Sequence, residues 1–277
     1  MNKAVFWLSL LSATSFSVVT QADPKKFYAN PTLQAENPSA YAVSDVNQAW
    51  LEQAHKKREQ DAKAVFEALK ANTELFKQLQ AWETLSFEER MALLPQVFEI
   101  ECRTMGITPP ELVINNTLYP KRAVNFVFDV RSPGSGLVYL NPKLLKEMDV
   151  YAPLAFLLHE TRHAYQFQLA YSETSILAQG YKSAFETQSN LKGASFSDFL
   201  TLLNEYEAFQ FGNHVLELLT DGTFESPMMG TFASQFGNAG QLKIDLVKLH
   251  ERKENSSLLE KYNRAANVQY KLRYPNQ

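Results

Sequence analysis

The sequence predicts an α+β fold that is mostly helical and contains a small mixed or antiparallel sheet. Residues 44–105 and 151–219 are rich in helix formers, with apolar side chains at helical spacing. Only two short stretches, Glu111–Ile114 and 123–141, are rich in β-branched and aromatic residues. Both stretches come before the helix predicted over residues 151–170, so the sheet is expected to precede that helix in the chain.

Residues 1–22 have the pattern of a secretory signal peptide. Lys3 supplies a positive start, residues 4–19 are mostly apolar, and Thr20-Gln21-Ala22 suits cleavage. The apolar run is short and diluted with Ser and Thr for a membrane span, and no cysteine follows it that could carry a lipid. We therefore expect an exported protein, periplasmic or secreted, with no stable membrane insertion after cleavage.

Charge and cysteine content narrow the class of protein further. The formal net charge is −3, and removal of residues 1–22 takes away Lys3 and no acid, which leaves −4. A mildly acidic chain offers no general electrostatic attraction for nucleic acid, so we expect no nucleic-acid partner. Cys102 is the only cysteine, so no intramolecular disulfide can form.

The N-terminal part of the mature chain is predicted to be an extended lead-in followed by helices. Residues 23–43 contain three prolines and are expected to be extended or poorly ordered. Residues 44–82 predict one long amphipathic helix or two, and Ser86 with Glu89 forms a capping-box pattern that opens a further helix. Gly106 ends that helix, so residues 44–105 are predicted to form a helical N-terminal region.

The most informative motif is His159-Glu160-Thr161-Arg162-His163. Residues four apart lie on one face of a helix, so His159 and His163 can bind one Zn²⁺, with Glu160 beside it as a base for bound water. The helix is predicted over residues 151–170, with Asp149 as its cap. Apolar residues directly before His159 indicate that this helix enters a core.

Two further side chains on this helix need an interpretation. Gln166 lies on the same face as His159 and His163, where it either orients a metal ligand or bonds to backbone. Arg162 points away from that face, and we expect a surface or structural charge.

A third ligand is expected from a second helix, predicted over residues 197–219 with a Ser197 or Asp198 cap. Glu205 lies there on an apolar stripe beside the small residue Ala208, and metal ligation would resolve the cost of a buried carboxylate. Glu207 is the rival candidate for the same role.

The combination of HETRH with a helical NEYEA resembles the gluzincin metallopeptidases, a zincin group whose third ligand is a Glu on a second helix. Their Asn-Glu pair matches Asn204-Glu205, and the Glu three residues before an Ala matches Glu205 and Ala208. The match covers residues 136–219. It implies a zincin-like fold, one Zn²⁺ per chain on His159, His163 and Glu205, Glu160 as catalytic base, and a peptide or protein substrate.

The chain departs from the thermolysin-like pattern at one position. Those enzymes carry an Asp four residues after the ligand Glu, where it supports a ligand histidine, and this chain has Phe209. Support for His159 must then come from another group, such as Glu207, Gln166 or a backbone carbonyl.

The resemblance also implies an edge strand above the metal helix and a donor for the transition state. Leu137–Leu140 is the candidate strand for binding extended substrate, and an ordinary core hairpin is the equal alternative. The candidate donors are polar side chains of the two helices and of the segment between them: His214, Tyr206, Tyr165, Tyr171 and Tyr181.

Residues 106–220 are thus predicted to form the catalytic core, with 172–193 as a helix that walls the cleft. Residues 221–277 are predicted to form a loop, at 221–239, and a polar helix at 241–264 packed on the core. The loop is either a lid or a connector. Two rival functions are kept: an inactive gluzincin-like envelope module that binds or regulates a partner, and a metal-free helical binding module. The sequence assigns no oligomeric state.

Overall fold

The computed structural model describes residues 30–191, 196–223 and 243–273. The predicted signal peptide and most of the predicted loop at 221–239 lie outside these residues. The described part is α+β and mostly helical, as predicted. Its α-helices are α1 Pro31–Glu36, α2 Gln48–Ala71, α3 Thr73–Gln80, α4 Phe87–Met105, α5 Pro142–Leu145, α6 Ala152–Ser172, α7 Ile176–Asn190, α8 Phe196–Leu200, α9 Leu203–Leu219, α10 Leu246–Glu251 and α11 Leu258–Arg273.

The sheet has three strands, β1 Glu111–Ile114, β2 Val124–Val127 and β3 Leu137–Leu140, in the order β1-β3-β2. β3 is parallel to β1 and antiparallel to β2, so the sheet is mixed and the predicted hairpin is confirmed. The prediction that Leu137–Leu140 is an edge strand is wrong, because β1 and β2 occupy both of its sides. Three consecutive residues of β3 are buried, which is the pattern of a central strand.

The hairpin turn depends on Gly136. This residue has a φ of 79°, in the left-handed region that favours glycine. A Cβ at this position would also overlap the Phe126 ring of the neighbouring strand. The turn therefore brings Phe126 over the end of β3, towards α6.

Helix α6 lies at the centre of the described structure. It packs against α4, α7 and α9 and against strands β2 and β3. Every residue from Ala152 to Phe167 is buried, as expected for a helix that is enclosed on all sides. The side chains of its polar residues must therefore find partners inside the protein.

Several predicted helix boundaries differ from the structure. Residues 44–82 form two main helices, α2 and α3, and Asn72 caps α3 through its side chain. The helix predicted over 197–219 is broken into α8 and α9, because Leu202 forms a β-bridge with Tyr41. Neither Ser197 nor Asp198 therefore caps the helix that carries Glu205. The polar helix predicted over 241–264 is likewise two helices, α10 and α11.

Two predictions near the ends of elements are corrected as well. Asp149 is not the N-cap of α6, which is Tyr151; the Asp149 carboxylate accepts a hydrogen bond from the Tyr151 N–H at 2.9 Å, just before the helix begins. The described end of the lead-in is not loose, because it contains α1 and buries Ala40, Tyr41, Ala42 and Val43. The capping box of α4 and its Gly106 end are confirmed.

No helix among the described residues combines the length and apolar character needed to cross a membrane.

Candidate metal centre

The two histidines of α6 meet as their spacing predicts. The Nε2 atoms of His159 and His163 are 2.9 Å apart, on the face of α6 that faces α9. One helical turn separates the residues, so their rings are neighbours, with centroids 4.5 Å apart and ring planes nearly perpendicular. The two nitrogens thus point to a common position.

Glu205 comes to the same position from α9. Its Oε2 is 3.3 Å from His159 Nε2, and its Oε1 is 3.3 Å from His163 Nε2. Small residues on the same stripe of α9 allow this approach: Ala208 is fully buried, and Gly212 faces the α6 backbone at Ala155 and His159. Larger side chains there would hold the two helices apart.

The spacing of these three groups fits a metal ion. Tetrahedral coordination with bonds of about 2.0–2.1 Å places ligand atoms about 3.3 Å apart. The observed separations are 2.9, 3.3 and 3.3 Å. Two imidazole nitrogens and a carboxylate are also the donor types that zinc prefers. His159, Glu160 and His163 form the cluster with metal-ligand spacing found among the described residues, and Glu205 adjoins it.

The hydrogen bonds of Gln166 set the proton on His163. The Gln166 amide nitrogen donates to the Asn204 carbonyl at 3.0 Å and to Glu207 Oε2 at 2.5 Å, and both of these groups are acceptors. The amide oxygen must then face His163 Nδ1, 2.8 Å away. His163 therefore donates from Nδ1, so Nε2 is the nitrogen directed to the shared position, and it can bind a metal there once it has lost its proton.

His159 lacks the corresponding support. Its Nδ1 is buried and has no hydrogen-bond partner among the residues that the structure describes, and the Phe209 ring packs against the imidazole at 4.1 Å between centroids. The apolar residue at 209 thus leaves a buried polar atom unsatisfied, where the thermolysin-like pattern has a carboxylate. The two candidate ligands are held unequally.

Glu205 is a strong anion in this setting. Burial opposes its ionisation, but the charges and hydrogen bonds of His163 and His159 together outweigh burial and lower its pKa to about 2. Gln188 adds a hydrogen bond to Glu205 Oε1 at 3.0 Å.

The pKa values of the two histidines are shifted in opposite directions. Burial alone lowers the pKa of both rings, and the neighbouring charge of His163 lowers that of His159 further. At His163 the Glu205 carboxylate outweighs burial and raises the pKa to about 9.

Glu160 lies beside this cluster and next to strand β2. Its pKa is raised to about 8, first by burial, while the His163 charge opposes the shift. The backbone of Phe126 on β2 and the Arg122 cation both lie near enough to Glu160 to lower its pKa. The strand beside Glu160 is therefore the edge strand β2, whereas the sequence had predicted that β3 would take this position.

The centre is enclosed. His159, His163 and Glu205 each expose 3% of their surface and Glu160 exposes 6%. Aromatic rings form part of the wall: Phe126 stacks on His163 with centroids 6.2 Å apart, and Phe185 contacts its edge at 6.1 Å. An apolar surround strengthens electrostatic interactions inside the site.

Of the five predicted transition-state donors, Tyr165 and Tyr171 lie on α6, Tyr181 on α7, and Tyr206 and His214 on α9. After burial, the largest influences on the Glu160 pKa come from His163, Glu205, the Phe126 backbone and Arg122. The Arg162 guanidinium lies over the Tyr165 ring at 4.2 Å, and Tyr181 packs edge-on against Trp50 with ring centroids 5.3 Å apart. Tyr171 packs against Phe167 at 4.8 Å between centroids.

Glu207 is engaged by other residues and does not join the histidines. Arg162 donates to both of its carboxylate oxygens, at 2.7–3.1 Å. Arg162 is fully buried, so the surface alternative for this residue is wrong and the structural one is right. Arg162 also donates to Asp61 on α2, at 2.8 Å.

Three residues of this centre were not among the predicted candidates: Gln188 on α7, Arg122 before β2, and Asp61 on α2. Each comes from an element other than α6 or α9, so no helical spacing relates it to the motif. Sequence patterns carried no signal for them, because only the packing of α2, α7 and β2 around α6 makes them neighbours.

The chain was compared with models of protein families, with curated proteins and with solved structures, and none of the three comparisons found a match.

Proposed function

We propose that this chain is an exported zinc-dependent metallopeptidase of gluzincin type, with His159, His163 and Glu205 as ligands of one Zn²⁺ and Glu160 as general base. The observation that carries the proposal is the convergence of two imidazole nitrogens and a carboxylate within 2.9–3.3 Å of one another, with Glu160 on the same helix beside them. The two helices that supply these groups are separate in sequence.

The residues of the chain have distinct tasks in this proposal. Glu205, His159 and His163 hold the metal, and Gln166 keeps the Nδ1 proton of His163 in place. A bound Zn²⁺ supplies polarisation of the scissile carbonyl and a lowered pKa for water. Glu160 accepts a proton from the attacking water and later delivers it to the leaving amine. Positive charge at the neighbouring three-ligand position favours the ionised form of Glu160.

Strand β2 is the proposed support for an extended peptide. It is an edge strand of the described sheet, and its Phe126 backbone adjoins Glu160. Peptide added along β2 would place its backbone beside the base, by the same hydrogen bonds that join strands in a sheet.

The proposed mechanism is tested by Glu160→Gln. We expect this variant to bind zinc as the wild type does and to lose hydrolysis of an unfolded, fluorescently labelled protein substrate, because the amide cannot accept the proton. Glu186→Gln, an exposed substitution on α7, is the matched control and should retain activity. Wild-type-like turnover by Glu160→Gln would overturn the mechanism.

A second candidate is a non-catalytic metal-binding module, and the burial of the centre favours it. All three metal-binding side chains expose only 3% of their surface, whereas a catalytic zinc keeps an open position for substrate. A fluorogenic-peptide assay with and without chelator separates the two. Chelator-sensitive hydrolysis supports the peptidase, and zinc binding without hydrolysis supports the module.

A further inference from the structure

Behind the metal centre, a continuous line of buried polar contacts runs from His163 to the N-terminal helix α2. His163 Nδ1 meets Gln166 Oε1 at 2.8 Å, and Gln166 Nε2 meets Glu207 Oε2 at 2.5 Å. Arg162 binds Glu207 through both carboxylate oxygens and reaches Asp61 on α2 at 2.8 Å. We name Gln166, Glu207, Arg162 and Asp61 the relay.

The relay is closed to alternative arrangements. Gln166, Arg162 and Glu207 expose 0% of their surface, so no water competes for their hydrogen bonds. The nitrogens of Gln166 and Arg162 donate to groups that cannot themselves donate: the Asn204 carbonyl, the Glu207 and Asp61 carboxylates and the Met105 sulfur. The orientation of the Gln166 amide, and with it the protonated nitrogen of His163, therefore follows from the position of Glu207.

Glu207 is held in place by the Arg162 guanidinium, which projects from a different face of α6 than the two histidines. The Arg162 guanidinium is planar and binds the carboxylate with two nitrogens, which restricts the rotation of both side chains. Stacking between the rings of Tyr165 and Phe211, at 4.2 and 4.5 Å, restricts the guanidinium further. Asp61 takes the remaining arm of Arg162 and is itself paired with Lys57.

We propose that the relay fixes the orientation and the protonated nitrogen of the His163 imidazole for metal binding. Through Asp61, helix α2 would therefore contribute to the metal affinity of the centre. The inference rests on the proposed function and goes beyond it, since it assigns a task to an N-terminal helix that supplies no ligand. It also accounts for the unequal support of the two histidines, because the relay reaches His163, whereas His159 Nδ1 has no partner in the described part of the chain.

Zinc affinity of the purified full-length mature protein, measured by competition with a chelator, tests the relay. Gln166→Leu removes the acceptor of His163 Nδ1 at similar volume, and affinity should fall roughly 10- to 100-fold. Asp61→Asn changes only the end of the relay that is most distant from His163, and the zinc affinity should fall about 2- to 30-fold. The exchanged pair Gln166→Glu with Glu207→Gln keeps the charge and an acceptor for His163, so it should recover part of the affinity lost in Gln166→Leu.

Asp245→Asn is the matched control. Asp61 and Asp245 are each 8% exposed, and Asp245 caps the short helix α10, where Asn is an equally good cap. The control should bind zinc as the wild type does. Unfolding midpoints are measured alongside, because a purely structural role of Asp61 would lower stability and leave the zinc affinity of the folded protein unchanged.

A second measurement needs no metal. Nuclear magnetic resonance of the metal-free protein should show a hydrogen-bonded, slowly exchanging Nδ1 proton on His163 that shifts and exchanges faster in Asp61→Asn. An unprotonated Nδ1 in the wild type overturns the relay. Absence of zinc binding by the wild type overturns the proposed function, whereas wild-type affinity in both Gln166→Leu and Asp61→Asn overturns the relay alone.

Discussion

Glu101 on α4 is fully buried against α6, and its replacement by Gln should change how stability depends on pH. Neither carboxyl oxygen has a hydrogen-bond partner among the described residues. Burial raises the pKa of Glu101 well above its usual range and outweighs the opposing effects of the Arg162 charge and the Thr161 hydroxyl. The Arg162 guanidinium is already bound to Glu207 and Asp61. Glu101 is therefore expected to carry a proton in the folded protein.

The size of the effect follows from proton linkage. Below the unfolded-state pKa of about 4.5, both states hold the proton, and the contribution of Glu101 to stability is fully present. Above it the unfolded chain releases a proton that the folded protein retains. Stability then falls by about 1.4 kcal/mol per pH unit until pH reaches the raised pKa of the folded state. Glu101→Gln has no proton to release, so this part of the slope should disappear.

Urea unfolding of both proteins between pH 5 and 7, in the presence of a chelator, measures the difference. The comparison uses the slopes against pH, so a constant packing cost of the amide cancels. Glu99→Gln on the exposed side of the same helix is the control and should follow the wild type. Parallel curves for wild type and Glu101→Gln would refute the reasoning, because Glu101 would then be ionised in the fold.

Three further substitutions have defined outcomes. Phe209→Asp offers an acceptor to His159 Nδ1, so zinc affinity should rise about tenfold by chelator competition; unchanged affinity would mean that His159 needs no such support. Gly180→Ala would place a Cβ against the Trp50 indole, so it should cost about 1–3 kcal/mol in urea unfolding, accompanied by a change in Trp fluorescence; a wild-type midpoint would contradict this packing. Ser86→Ala removes the capping box of α4 and should cost about 1 kcal/mol, whereas a change below about 0.3 kcal/mol would show that the cap is dispensable.

Local periodicity predicted the part of the site that lies on single helices. His159 and His163 are neighbours because of the helical repeat alone, and Gln166 adjoins His163 for the same reason. Glu205 was predicted from its place on an apolar stripe beside Ala208 together with the gluzincin resemblance, and the structure brings it within 3.3 Å of both histidines. Such spacings are properties of a helix whatever it packs against.

Two of the errors lie where the outcome depended on a distant segment. Leu137–Leu140 has the sequence of a buried strand, but its central place was decided by β1, which precedes it by more than twenty residues. The break before α9 arises because Leu202 pairs with Tyr41, which lies about 160 residues earlier in the chain. The residue pattern within one segment does not show which distant segment that segment will pair with.

The fold class, the motif and the two helices that carry it thus follow from the order of residues along the chain, because helix formation and burial of apolar stripes are local properties. The relay, the hydrogen bond from Gln188 to Glu205 and the place of β2 beside Glu160 required the tertiary structure. In each case the arrangement depends on contacts between different elements packed around α6, and burial strengthens them, because polar interactions are stronger in the low-dielectric interior. The motif shows where a metal could bind, and the packing around α6 shows how the chain would hold it.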